Sequence, residues 1–252
     1  MIMEAVKGVI FDYGGTLDSR GEHWSHIIRR GYAAAGLSVA PEEFREAYVY
    51  AERALAKTRY ILPQHTFRDL MEIKVRIELE YLEAKGVIAP GTAVSLYCEI
   101  AAYCYDYARE CTAESRSTLD VIRAAGLPMV LVSNFYGNIN AVLADFGLRD
   151  YFKDVIESAV VGVRKPNPAI FALGVEALGL SPAEVLVVGD SMKKDIEPAG
   201  SLGCPTVRII GNGWSDDELS AEVSTFCVHN LSEICHLPLL NFHNRMGISG
   251  KI

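Results

Sequence analysis

The sequence predicts an α/β fold, a doubly wound parallel sheet interrupted once by a helical insertion. Three observations carry this. Short β-branched runs at residues 6–11 (VKGVIF), 128–132 (PMVLV) and 185–188 (VLVV) read as buried parallel strands. Amphipathic segments lie between these and further strand-like runs, the alternation that winds helices onto both faces of one sheet. Residues 20–115 break the alternation with long helical patterns and no convincing strand–helix–strand unit.

Taken in order, the first strand ends at Asp12 and the insertion follows. Helical patterns cover 22–35, 41–57, 67–85 and 92–111, with Pro41 suited to a first helical position and Gly36 and Gly86 to C-terminal caps. Residues 71–81 (MEIKVRIELEY) also alternate with period two, which favours a strand. Against that, Phe67, Leu70, Met71, Val75, Leu79 and Leu82 form a helical stripe, and Glu72–Arg76, Lys74–Glu78 and Arg76–Glu80 are opposite charges at i, i+4. A helix is expected. Beyond the insertion come helices at 117–125 and 137–147, a weak strand at 154–156, and helices at 167–179 and 193–201. Strands at 206–210 and 225–228 and amphipathic segments at 216–222 and 231–236 complete the chain. The expected division is 1–19 with 116–252 as the α/β core, and 20–115 as a helical insert.

Composition sets limits. The 252 residues carry a formal charge of −8, which disfavours an extended nucleic-acid face or a polybasic membrane patch. No apolar run is long enough to span a bilayer. The N-terminal residues lack the pattern of a secretory signal. Six cysteines without a CxxC pair suggest reduced thiols, so a cytoplasmic setting is expected. Nine of the twelve tyrosines fall within 21–115, so the insert is built differently from the rest.

In open α/β sheets the reactive groups gather past the carboxyl ends of the strands. Asp12 stands there in FDYGGTLD, desolvated on one side and able to attack an electrophile. The same pattern also serves a plain turn. Gly189-Asp190 through Asp195 (GDSMKKD) follows another strand. If the first and fourth strands are neighbours, Asp12 and Asp190 face each other, and a hard cation such as Mg²⁺ relieves their repulsion. Asp190 could instead cap the following helix. Ser133 and Asn134 end a strand and can hydrogen-bond an anionic oxygen, or cap. Lys165, in GVRKPNPAIF, can neutralise transferred phosphoryl charge, or be solvated.

Taken together, Asp12 with GGTLD, Ser133, Lys165 and GDSMKKD resemble, in order and spacing, the four motifs of the haloacid dehalogenase-like hydrolase superfamily. The resemblance covers roughly 5–19 and 116–235 and implies a Rossmann-like core with a helical cap inserted after the first motif. It implies that Asp12 is a nucleophile forming an aspartyl-phosphate. Asp12 and Asp190, with the Gly14 carbonyl, would bind Mg²⁺, and Asp195 would support the metal shell. Ser133 and Lys165 would hold the phosphoryl group. Thr16, Asn134 and His23 are expected at the substrate. The implied substrate is a small phosphorylated metabolite.

One position departs from the pattern. Phosphatase members carry a second Asp two residues after the nucleophile, which protonates the leaving alcohol; here it is Gly14. Losing a positioned acid/base typically costs about 10²- to 10⁴-fold in rate. Four readings follow: a slow phosphatase, a substitute acid (His23, Glu22 or Asp18), a 2-haloacid dehalogenase, or a catalytically weak phosphate- or partner-binding protein. His23 and Trp24 stand at the entry to the insert. Arg29, Arg30, Arg53, Lys57 and Arg59 are expected mostly in solvent, with a basic lining as the alternative. Tyr103, Tyr107 and Cys111 are expected as a packing stripe, with a substrate-pocket lining as the alternative. Oligomeric state is not encoded legibly.

Overall fold

A computed structural model describes residues 6–213 and 226–240. Six strands form one sheet: β1 (Gly8–Phe11), β2 (Met129–Ser133), β3 (Phe152–Glu157), β4 (Val185–Gly189), β5 (Thr206–Ile209) and β6 (Phe226–Val228). Every pairing is parallel, in the order β3-β2-β1-β4-β5-β6. The fold class is therefore the expected one. β1 is central and lies between β2 and β4, so the strands ending in Asp12, Ser133 and Gly189 are neighbours.

The strands are apolar on both sides because both faces are covered. Val9, Phe11, Leu131, Leu186 and Val188 point to one face, into a core shared with the insert. Ile10, Val130, Val132, Val185 and Val187 point to the other, where Ile170, Phe171 and Val175 pack. The remaining core helices are α5 (Ile139–Asp145), α6 (Ser158–Val161), α7 (Ala169–Leu178) and α8 (Glu197–Ser201).

The insert consists of α1 (Trp24–Ala34), α2 (Pro41–Lys57), α3 (Phe67–Ala84) and α4 (Thr92–Ala124). Pro41 opens α2, and Gly36 and Gly86 follow α1 and α3 in the left-handed region. Residues 71–81 are helical: Phe67, Leu70, Met71, Val75, Leu79 and Leu82 are buried on one side of α3, and that stripe outweighs the period-two alternation. Two expectations need correction. The helices expected at 92–111 and 117–125 are one continuous helix, α4, which runs without a break through 115/116. The helix expected from 193 begins as a widened π turn, Met192–Ile196, before α8. Residues 231–236 form a 3₁₀ segment. The segment expected at 216–222 lies outside the described residues. All six cysteines are free, and no described helix is long and apolar enough to cross a membrane.

The charge pairs on α3 also differ from the expected spacing. Arg76–Glu80 forms, but Lys74 pairs with Glu52 of α2 rather than with Glu78. Glu78 is fully buried, accepting a hydrogen bond from the Tyr32 hydroxyl at 3.1 Å, with no partner for its Oε1 among the described residues. Burial pushes its carboxyl up to about 7, against the opposing pull of Lys74 and Tyr32. The folded chain thus holds this proton more tightly than the unfolded chain. Its stabilising effect is complete below about pH 4.5 and is lost as pH rises through about 7. Urea unfolding of Glu78→Gln should be less pH-dependent across that window than unfolding of the unmodified chain. At pH 8 the variant should be more stable by roughly 1–3 kcal/mol; parallel pH profiles would refute this account of Glu78.

Candidate active site

Asp12 sits one residue past β1, its backbone N–H donating to the Val188 carbonyl of β4 at 2.9 Å. The chain then turns through Gly14 and Gly15. Gly15 has φ +90, and a Cβ there would lie 2.4 Å from the Asp190 carboxylate. Only glycine fits, because side-chain-bearing residues are strained at that φ and the space belongs to Asp190. Gly14 is the opposite case: a Cβ there meets nothing within 4 Å. The turn is pinned by Asp18, whose two carboxylate oxygens accept the Gly15 N–H and the Trp24 Nε1–H, each at 2.8 Å.

Lys165 joins the site from the loop before α7. Its ammonium donates to Asp12 Oδ1 at 2.5 Å and to Asp195 Oδ1 at 2.6 Å. The backbone of Lys165 is clamped by one side chain: its N–H donates to Asn134 Oδ1 at 2.9 Å, and its carbonyl accepts Asn134 Nδ2 at 3.1 Å. Asp195 is carried by the widened turn after β4, and its Oδ2 accepts the Ser191 N–H at 3.1 Å. That wide turn folds Asp195 back beneath Gly189, where a Cβ would fall 2.4 Å from its Cβ.

Asp12, Asp190 and Asp195 each place a carboxylate oxygen within 4.8 Å of the others. Three carboxylates this close repel, and Lys165 bonds only Asp12 and Asp195. Burial, with Asp195 adding, raises Asp12 to about 6 despite Lys165. Burial and the two neighbouring carboxylates raise Asp190 well above the usual range. Such a set favours a proton or a hard cation, and oxygen-only donors suit Mg²⁺.

A cavity of about 520 Å³ opens over these groups. Ser133, Asn134, Gly14 and His23 line it with the acidic cluster and Lys165. Thr16 lies behind Asp12, its hydroxyl 3.4 Å from Oδ2. His23 caps α1 through Nδ1, which accepts the Ser25 N–H at 3.2 Å and leaves the neutral ring's proton on Nε2. Burial, then Lys74 and Lys194, pull its pKa down to about 3, so the ring is neutral. Of the other candidate acids, Asp18 is occupied by its two donors. Glu22 is held by Arg30 and the Tyr107 hydroxyl.

Sequence reasoning missed the far wall. Arg29, Arg30, Arg53, Lys57 and Arg59 do not line the cavity; Lys74, Glu52 and Tyr136 do. A signal existed: Phe67, Met71, Lys74, Glu78 and Leu82 follow helical spacing, which puts two charges on an apolar face.

A clean contrast tests the turn. Gly15→Ala should lose at least ~1 kcal/mol of stability by urea unfolding, from the left-handed backbone and the Asp190 contact. Gly14→Ala should fall within about ±0.5 kcal/mol of the unmodified chain. Equal effects at the two positions would contradict the described turn.

Residues 6–203 match a family model described as haloacid dehalogenase-like hydrolase. A glyceraldehyde 3-phosphate phosphatase of Methanocaldococcus jannaschii is 38% identical over 91% of this chain and 95% of its own length. A phosphoglycolate phosphatase of Pectobacterium atrosepticum is 29% identical over 81% and 80%. Among solved structures, the L-2-haloacid dehalogenase of Xanthobacter autotrophicus shares the fold at TM-score 0.55 and 20% identity, covering 92% of this chain and 98% of its own. With the model matched over most of its length and a relative of such identity spanning nearly all of it, this chain belongs to the haloacid dehalogenase-like hydrolase family.

Proposed function

We propose that the chain is a Mg²⁺-dependent phosphohydrolase acting on a small phosphorylated metabolite, with residues 20–115 closing as a cap over a core of 1–19 and 116–252. The observation that carries this reading is the shared ammonium. Lys165 bonds two carboxylates at the floor of the cavity, and a third, Asp190, stands within 4.8 Å. The fold does not choose between phosphatases and dehalogenases, since one of its relatives in structure is a dehalogenase. Asp190 does favour one side. A carboxylate there repels a haloacid's own carboxylate, whereas with a divalent cation it suits a phosphate.

The residues fit the metal by the chemistry of their donors. Asp12, Asp190 and the Gly14 carbonyl would hold Mg²⁺, with Asp195 supporting its shell. When bound, the metal neutralises phosphoryl charge and relieves the repulsion among the carboxylates. Asp12 attacks phosphorus, and the bond from phosphorus to the leaving oxygen breaks, giving an aspartyl-phosphate. Lys165 holds Asp12 in place and balances the negative charge of the transferred group. Ser133 donates its hydroxyl to a phosphoryl oxygen. Water then attacks the aspartyl-phosphate at phosphorus, releasing inorganic phosphate and restoring Asp12. No side chain at position 14 protonates the leaving oxygen. Substrates with good leaving groups, such as aryl or acyl phosphates, should therefore turn over faster than alkyl esters.

Two experiments bear on this. In a phosphate-release assay, Asp12→Asn and addition of EDTA should each abolish turnover of an aryl phosphate. Full activity in either arm would refute the mechanism, and halide release from a 2-haloacid in EDTA would establish the dehalogenase reading instead. Gly14→Asp enters open space, so it should fold and raise kcat for alkyl phosphate esters by about 10²-fold if the missing acid limits the rate. No gain would show that leaving-group protonation is not limiting.

A further inference from the structure

The far wall of the cavity has an arrangement that the phosphoryl chemistry does not use. Lys74 of α3 forms an ion pair with Glu52 of α2. The Tyr136 hydroxyl, on the loop after β2, bridges both Glu52 carboxylate oxygens at 3.1 Å each. Lys74 also lies 4.1 Å over the Tyr48 ring. The two charges are not equally accessible. Both side chains line the cavity, but the Lys74 side chain is 3% exposed and that of Glu52 is 37% exposed, so the carboxylate is the more accessible partner of the pair. Burial raises the Glu52 carboxyl, but Lys74 and Tyr136 outweigh it and hold the group below the usual carboxylate range. It is ionised at neutral pH.

We propose that Glu52 selects the substrate's non-phosphoryl end, admitting an uncharged, hydroxyl-bearing remainder and rejecting one that carries a carboxylate. The inference rests on the phosphatase reading for the orientation of the substrate. With phosphate at Asp12 and Lys165, the leaving group faces Glu52. A hydroxyl there donates to the carboxylate. A second carboxylate meets like charge in a partly desolvated site, where such juxtaposition is strongly disfavoured. The neutral His23 adds no charge; Lys193 and Lys194, which also line the cavity, stand on the turn after β4 that carries Asp195. Of the substrates named for the curated relatives, glyceraldehyde 3-phosphate has an uncharged remainder and 2-phosphoglycolate a carboxylate, so the structure assigns this chain to the former chemistry.

The test compares kcat/KM for these two compounds at pH 8 with Mg²⁺, in the unmodified chain, Glu52→Gln and Lys74→Gln. In parallel, calorimetry measures binding of glycerol 3-phosphate and 2-phosphoglycolate to the Asp12→Asn chain, with and without Glu52→Gln. The unmodified chain should favour the uncharged remainder by about tenfold or more. Glu52→Gln keeps the shape and the Tyr136 contact but leaves Lys74 positive, so the preference should collapse or invert. Lys74→Gln should keep or widen it. A purely structural role would lower both substrates together. An unchanged ratio in a cooperatively folded Glu52→Gln chain overturns the proposal, as does a preference of the unmodified chain for 2-phosphoglycolate. Should Glu52→Gln not fold, a narrowed preference in Lys74→Gln is equally fatal. Phosphate release with unmoved ratios sinks this inference alone. A shifted binding ratio without any phosphate release sinks the phosphatase reading and leaves charge selection standing. Failure of glycerol 3-phosphate to bind sinks both.

Discussion

The site depends on one ammonium group placed between two carboxylates. A buried lysine is tolerable only when its charge is matched, and buried carboxylates only when theirs is. Lys165 matches Asp12 and Asp195 at once, so each of the three justifies the burial of the other two. Distant parts of the chain must meet for this to happen. β1 delivers Asp12, the wide turn after β4 delivers Asp195, and Asn134 at the end of β2 grips the backbone of Lys165. The order β2-β1-β4 is what lets these strand ends meet. With Asp190 counted, one ammonium faces three carboxylates and leaves the cluster short of two positive charges, and that shortfall is what makes it receptive to a divalent cation.

The helical insert repeats the same logic with opposite exposure. At the floor of the cavity the lysine is central and the acids surround it. At the far wall the acid is the more exposed partner and the lysine the more deeply buried one. The cavity is thus electrically asymmetric, with three carboxylates around one ammonium at one end and a single ion pair with its acid the more exposed at the other. Tyr136 ties that carboxylate to the core, so the polarity of the far wall depends on the insert being seated.

Much of this was legible in the sequence, for identifiable reasons. The strands at 6–11, 128–132 and 185–188 are apolar on both faces, a signal that survives without any tertiary context. The residues at their ends inherit their position from the strands, which is why Asp12, Ser133 and Asp190 could be picked out. Asn134 was visible as a strand-end polar residue, but its grip on Lys165 was not, because that contact spans 31 positions. Lys74 and Glu52 lie 22 positions apart on separate helices, and local spacing offered Lys74 a nearer partner in Glu78. Local charge pairing predicted the wrong partner because Glu78 is turned into the interior toward Tyr32. Helices were expected at 92–111 and 117–125, with a break between them. The backbone has no reason to break there, since no proline or glycine interrupts α4.

That continuity has a mechanical meaning. α4 is 33 residues long, about 50 Å at 1.5 Å per residue, and it belongs to the insert at one end and to the sheet's packing at the other. It is one unbroken element crossing from the insert to the core. The other joint between insert and core is the short turn at 14–23, which is largely buried and held by Asp18. That joint is the segment that carries Gly15 against Asp190 and Asp18 against Trp24. The attachment of the insert and the backbone beside Asp12 are therefore one piece of chain, so neither can shift without the other.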